Sequence, residues 1–245
     1  MHDPAIDLPV PRHDWALFLD IDGTIIDIAP TPREVTVPSS LAALLERLAS
    51  VLGGAMALVS GRALADIDSI FAPLHLAAAG QHGCEIRLAH GKPVLAGTST
   101  EALVGLLPQL EVFAETRPGI LVENKGMTIA VHCRRAPQYQ SELEDFLASL
   151  IAEQADGLET IPGHRVFEIK PRGFSKRTAV ELFMRSEPFA GRVPVFIGDD
   201  RTDEDGFAAA LGWAGQLSES GRLRPASRPG ASQTPPGPEH FCLIS

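Results

Sequence analysis

The chain has 245 residues, 44% of them hydrophobic and 21% charged, with a formal net charge of -10 and a pI near 5.2. That length suffices for one large α/β domain or two smaller ones, and the acidity excludes bulk attraction to nucleic acid or to an anionic membrane surface. An anionic ligand would need local positive charge. Cys84, Cys133 and Cys242 are scattered without a CxxC pair, so neither a disulfide framework nor a zinc site is expected. No run reaches membrane-spanning length, and the first residues lack the basic start and apolar stretch of a signal peptide, so a cytoplasmic location is expected.

Residues 1–13 are polar and Pro-rich and read as a loose lead-in. Trp15 to Leu19 is an uninterrupted apolar run, which suits a strand covered on both faces of a parallel sheet. It ends in Asp20-Ile-Asp22-Gly-Thr24. With a spacing of two, Asp20 and Asp22 would share one side if the strand persisted. After a loop, Leu41, Leu44, Leu45 and Leu48 recur at helical spacing. Gly53-Gly54 ends that helix, and Ala55 to Val59 is a second apolar strand closing in Ser60-Gly61-Arg62. A helix over 63–71, a short strand over 76–79 and a turn at Gln81-His82-Gly83 follow.

From residue 84 the texture changes. Helices are expected over 99–116 and 137–155, with one hairpin over 120–132 turned at Lys125-Gly126 and another over 158–169 turned at Gly163. The helix and strand alternation resumes with a helix from Ser175 to Ser186, capped by Ser175, and a strand from Val193 to Ile197 ending in Gly198-Asp199-Asp200. The pattern therefore predicts a doubly wound, Rossmann-like α/β core over 14–83 and 170–213, with an α/β cap inserted over 84–169. Residues 214–245 are rich in Gly, Pro and Ser and are expected to be mostly disordered.

Three strand ends carry chemistry, at Asp20, Ser60 and Asp199, and open α/β sheets bind ligands outside the carboxyl ends of their strands. Singly, each has a plainer reading: Ser60 as a turn or helix cap, Asp199 and Asp200 as acidic residues capping a helix. Together they point to a site. If the sheet is built as drawn, Asp199, Asp200, Asp203, Glu204 and Asp205 crowd Asp20 and Asp22, which calls for a hard, oxygen-preferring cation such as Mg²⁺. Neither acidic run carries the twelve-residue pattern of a calcium loop.

Asp20-Ile-Asp22-Gly-Thr24, Ser60-Gly61-Arg62, Lys176 and Gly198-Asp199-Asp200-Arg-Thr-Asp203-Glu-Asp resemble the four motifs of haloacid dehalogenase-type phosphatases. The resemblance implies that Asp20 attacks phosphorus to form an aspartyl phosphate. It makes Asp22 the acid that protonates the leaving alkoxide and the base that activates water. Thr24, Ser60 and Lys176 would bind phosphoryl oxygens. Asp20 and Asp199 would hold Mg²⁺ through their side chains and Asp22 through its carbonyl, with Asp200 and Asp203 behind them. Lys170, at another strand's end, is the alternative to Lys176; the family usually has Gly after its lysine, where this chain has Arg177.

Within the inserted stretch, Glu123-Asn-Lys125-Gly-Met-Thr-Ile-Ala-Val-His132-Cys-Arg134, Val166-Phe-Glu168-Ile-Lys-Pro-Arg-Gly-Phe-Ser-Lys176 and Gln81-His82-Gly83-Cys-Glu-Ile-Arg resemble trehalose-6-phosphate phosphatases. That family's pattern implies that Glu123, Lys125 and Glu168 bind sugar hydroxyls, with Arg134 as a further candidate and Gly61 and Arg62 also contacting substrate. The implied activity is hydrolysis of trehalose 6-phosphate within trehalose biosynthesis. A phosphatase for sucrose phosphate, mannosyl phosphoglycerate or a phosphomonosaccharide is the neighbouring reading. A non-catalytic sugar-phosphate binding protein is another, motivated by the tail, because the family normally adds a further strand and helix there. Oligomeric state is not readable.

Overall fold

The computed structural model describes residues 11–27, 35–89, 91–92, 94–96, 101–153, 157–163, 165–199, 201–219 and 242–243. Trp15–Leu19 (β1) is buried at every position. It pairs in parallel with Met56–Val59 (β2) on one side and Val193–Ile197 (β10) on the other. Ala77–Gly80 (β3) extends the parallel set beyond β2. The completed sheet has the order β11-β10-β1-β2-β3-β4-β5, with Glu85–Arg87 (β4) and Val94–Ala96 (β5) added antiparallel and Cys242–Leu243 (β11) parallel at the far edge.

The continuous apolar runs follow from this layering. Leu17, Leu19, Met56 and Leu58 point to one face, where Leu45 and Leu52 pack at Ser39–Val51 (α1), and Ile67 and Phe71 on Leu64–Phe71 (α2). Ala16, Phe18, Ala57 and Val59 point to the other face, against Val180 and Phe183 of Lys176–Met184 (α5) and Phe207 of Glu204–Glu219 (α6). Phe18 stacks on Phe189 at 5.6 Å and meets Phe183 at 5.8 Å. Burying such a residue on either face contributes roughly 1.5–3 kcal/mol.

A second unit is built from Glu101–Glu115 (α3), Leu121–Asn124 (β6), Ile129–His132 (β7), Gln140–Ala152 (α4), Leu158–Gly163 (β8) and Val166–Pro171 (β9). Its antiparallel sheet has the order β6-β7-β9-β8. Ile129, Val131, Phe167 and Ile169 cover one face and pack with Leu103, Leu106 and Leu110 of α3 and Leu143, Leu147 and Leu150 of α4. The alternation puts Glu123, Ala130 and Glu168 in one cross-strand row on the opposite face. That polar face is the one presented to the core.

The expected boundary at residue 84 needs correction. β4 and β5 belong to the core sheet, and Arg87 fixes β4 there by donating to both Asp68 carboxylate oxygens of α2 at 2.8 and 2.6 Å and to the Leu76 carbonyl at 2.9 Å. Three-residue strands carry too little periodicity to be seen in sequence. The second unit therefore begins after β5. Gly163 closes β8 rather than making the turn, since it is still paired with Val166, and Arg165 takes the left-handed conformation at φ 58°. Residues 137–139 form a 3₁₀ turn ahead of α4.

In the expected tail, α6 continues to Glu219 and β11 pairs with β10 through Phe196↔Cys242 and Ile197↔Leu243. The remainder of 214–245 lies outside the described residues, as do residues 1–10, Ser99, Thr100 and Asp200. Cys84 and Cys133 are buried and unpaired, and burial pushes the Cys84 thiol up to about 12, so it is inert at neutral pH. Among the described residues no helix is long and apolar enough to cross a membrane.

Candidate active site

The strand order places the site. The chain moves from β1 outward to β2 and β3, then returns on the other side at β10, so the crevice at the carboxyl ends of β1 and β10 is a topological switch point. Asp20 stands there, 4% exposed, its N–H donating to the Ile197 carbonyl of β10 at 2.9 Å. Asp199 follows β10 from the other side. Gly23 allows the approach: at φ +88° it takes a conformation L side chains rarely adopt, and a Cβ there would lie 2.2 Å from Asp199 Oδ2. Thr24 Oγ1 lies 2.9 Å from Asp199 Oδ1 and 3.4 Å from Asp20 Oδ2.

Lys176 enters from α5. Ser175 caps the helix by accepting from the Thr178 N–H while Thr178 Oγ1 accepts from the Ser175 N–H. This seats Lys176, 3% exposed, with Nζ donating to Asp20 Oδ1 at 2.7 Å and Asp203 Oδ1 at 2.6 Å. Burial alone would lower the ammonium's pKa, but the two carboxylates outweigh it and raise it. Burial also pushes Asp20 up to about 6, with Asp203 repulsion adding to it and Lys176 opposing. Lys170, the sequence alternative, is bound instead to Glu159 and the Phe174 carbonyl, where it ties down the turn leading to Ser175.

Carboxylate oxygens of Asp20, Asp199 and Asp203 lie within 4.8 Å of one another. In this cluster three carboxylates gather around the Lys176 ammonium, and every donor is oxygen. That donor set fits a hard divalent cation. The side-chain cluster includes Asp203, expected to stand behind the ligands, and not Asp22.

Asp22 departs from the shared-side expectation because the strand stops at Leu19. The Ile21 carbonyl accepts from the N–H groups of Ile25 and Ile26, turning the chain. The Asp22 carboxylate then meets Arg62, whose Nε and Nη2 donate at 2.7 and 2.5 Å. Ser60, 2% exposed, ends β2, and its Oγ accepts from the Arg62 N–H at 3.2 Å.

The second unit brings its own charges to this loop. Lys125 Nζ donates to the Gly61 carbonyl and to Glu168 Oε1, both at 3.2 Å. Glu168, 7% exposed, also takes the Thr128 hydroxyl at 2.7 Å and sits 3.0 Å from His82 Nε2. Burial would raise the Glu168 carboxyl, but the His82 hydrogen bond and charge, Lys125 and Thr128 together hold it at about 2. Glu123 pairs with His132 Nε2 at 2.9 Å, and that bond, with the nearby charges of Lys125 and His132, keeps its carboxyl below the ordinary range. Arg134 stands exposed on the turn beyond β7.

The sequence motifs include Gln81, His82 and Thr128, but sequence reasoning gave none of the three a role. His82 Nε2 packs so closely on Gly61 that a Cβ there would lie 2.7 Å away. A polar pair held directly before a Gly, between two strands, was the available signal. Glu168→Gln is expected to flatten the acid limb of stability. The Glu168 pKa is depressed from 4.5 to about 2, so its contribution is present above pH 4.5 and lost as pH falls towards 2. Urea midpoints measured across that window check this.

Residues 18–217 match the family model described as Trehalose-phosphatase. This chain belongs to the trehalose-phosphatase family. It is 39% identical over 208 residues to the trehalose-6-phosphate phosphatase of Escherichia coli, covering 85% of this chain and 78% of that protein. It is 41% identical over 214 residues to a probable trehalose-phosphate phosphatase of Sinorhizobium fredii, covering 87% and 80%. Its fold matches the C-terminal domain of the C. albicans trehalose-6-phosphate phosphatase with a TM-score of 0.70 at 20% identity, over 87% of this chain and 79% of that one. Family membership and the acidic cluster agree on a phosphatase that uses a metal.

Proposed function

We propose that this chain hydrolyses trehalose 6-phosphate to trehalose and phosphate, in the cytoplasm, with Mg²⁺ as the metal. The observation that carries the reading is the meeting of two sets of groups: Asp20 with Lys176 and Asp199 on the core, and Lys125 with Glu168 on the cap. Lys176 neutralises phosphoryl oxygens and aligns Asp20, whose oxygen attacks phosphorus. Asp22 delivers a proton to the departing sugar oxygen, then takes one from the water that cleaves the aspartyl phosphate. Arg62 holds Asp22 in the absence of substrate and offers a fork that matches phosphate oxygens. Thr24 and Ser60 supply hydroxyl donors at the same crevice. Asp20, Asp199 and the Asp22 carbonyl would hold Mg²⁺, with Asp203 supporting Lys176; the ion supplies charge stabilisation of the phosphoryl group in flight.

The cap selects the sugar. A disaccharide offers many hydroxyls, and Glu123, Lys125 and Glu168 offer charged partners for them; a site whose polar groups go unpaired rejects the wrong ligand strongly. Arg134 completes the set as an outer contact. Phosphate release from trehalose 6-phosphate, with and without Mg²⁺ after chelation, tests the activity. Sucrose 6-phosphate, mannosyl phosphoglycerate and glucose 6-phosphate run in parallel separate the neighbouring activities. Faster turnover of any of these would displace the trehalose assignment.

A further inference from the structure

Gln81 is 0% exposed, and its Nε2 has no hydrogen-bond partner. Its Oε1 lies 3.1 Å from Thr128 Oγ1, which also lies 2.7 Å from Glu168 Oε1. Thr128 has one hydroxyl proton to give. The ionised Glu168 is the stronger acceptor, so the Gln81 amide is poorly served at that end as well. In this orientation Nε2 stays unpaired in a fully covered position. A buried polar group in that state costs free energy until something binds it.

The position is also held against local preference. Gln81 and His82 have φ of 46° and 54°, and neither is glycine. Their N–H groups donate to the Arg62 and Ser60 carbonyls at 2.8 and 3.0 Å, which fixes the amide above the phosphate loop. Its neighbours define the ligand chemistry. Glu168 accepts, Lys125 donates, and a neutral amide does both, a combination that suits a hydroxyl. The Glu168 carboxylate would repel a phosphate here. The seam between cap and core is closed by Lys125 to Gly61, His82 to Glu168 and Gln81 to Thr128. A sugar reaches Gln81 by the same lifting of the cap that it needs to reach Glu168.

We infer that Gln81 is a specificity-determining residue whose amide hydrogen-bonds a hydroxyl of the sugar, an inference that rests on the sugar-phosphatase reading above. Gln81→Met keeps the shape and removes the amide. The expected result has two parts: kcat/KM for trehalose 6-phosphate falls about tenfold, the worth of one neutral hydrogen bond, mostly through KM, while p-nitrophenyl phosphate turnover is unchanged; and the Tm of the free protein rises. A structural amide, such as one holding a fixed water, would lower Tm instead. Gln81→Asn tolerates the left-handed backbone and withdraws the amide by one methylene, so it should show the same KM effect if the methionine variant folds poorly. Unchanged kcat/KM in both variants, or a loss of activity tracking a lowered Tm, would overturn the inference. Wild-type turnover of trehalose 6-phosphate is measured alongside, and its absence would sink the functional reading separately.

Discussion

Asp20→Asn is expected to abolish phosphate release, by at least about 10⁴-fold in kcat, because it removes the atom that bonds to phosphorus. It should do so without unfolding the chain. Lys176 keeps Asp203 at 2.6 Å, so the buried ammonium is not stranded. The effect on stability has a definite sign. In the metal-free protein the Asp20 pKa is raised from 3.8 to about 6, so its contribution to folding is full below pH 3.8 and is lost as pH rises through 6. At pH 7 the ionised carboxylate therefore opposes folding, and the neutral amide should stabilise the chelated protein by about 1–3 kcal/mol. Adding Mg²⁺ should reverse the ranking, since the cation attracts an ionised carboxylate far more strongly than a neutral amide. Tm with chelator and with Mg²⁺, measured on both proteins, reads this directly; a variant destabilised in chelator would show that the Lys176 pair dominates burial.

How much of this was legible beforehand differs from residue to residue. Asp20 was visible because an apolar run buried on both faces has no reason to end in acids unless the strand end is used, and β1 ends at Leu19, one residue before it. Lys176 was visible only through the family resemblance, because a lone lysine at a helix start is ordinarily a solvated surface charge. The fate of Asp22 was not, because it turns on where the strand stops and on Arg62, forty residues away. Gln81, His82 and Thr128 stood in the quoted motifs, but their contacts were hidden for the same reason. Their partners lie 47 and 86 residues off in sequence and on another unit, so no local pattern encodes the contact. β4 was absorbed into the cap because three residues cannot establish a period. The far end of α6 was missed because Ala214 to Glu219 holds one large apolar residue, Leu217, which cannot set a helical period.

Glu123→Ala combined with Lys125→Ala is expected to lower kcat/KM for trehalose 6-phosphate by about 10³-fold, the loss of two charge-assisted hydrogen bonds, while p-nitrophenyl phosphate loses less than about tenfold. The two substrates share the phosphoryl chemistry at Asp20 and differ in whether there is a sugar for the cap to grip. Geometry makes the comparison sharper than sequence could. Lys125 also donates to the Gly61 carbonyl, so its loss removes a tie on the loop that carries Ser60 and Arg62. If that tie mattered more than the sugar, both substrates would fall together, and the cap would be a clamp on the phosphate loop with no part in selection. Glu123 supplies the internal control. It touches His132 and no group of that loop in the hydrogen bonds described, so Glu123→Ala alone should spare the aryl phosphate even where Lys125→Ala does not. A fall confined to the disaccharide phosphate in the Glu123 variant ties substrate choice to the polar row of the cap, and the seam then acts as the place where sugar recognition is converted into alignment of the phosphate loop.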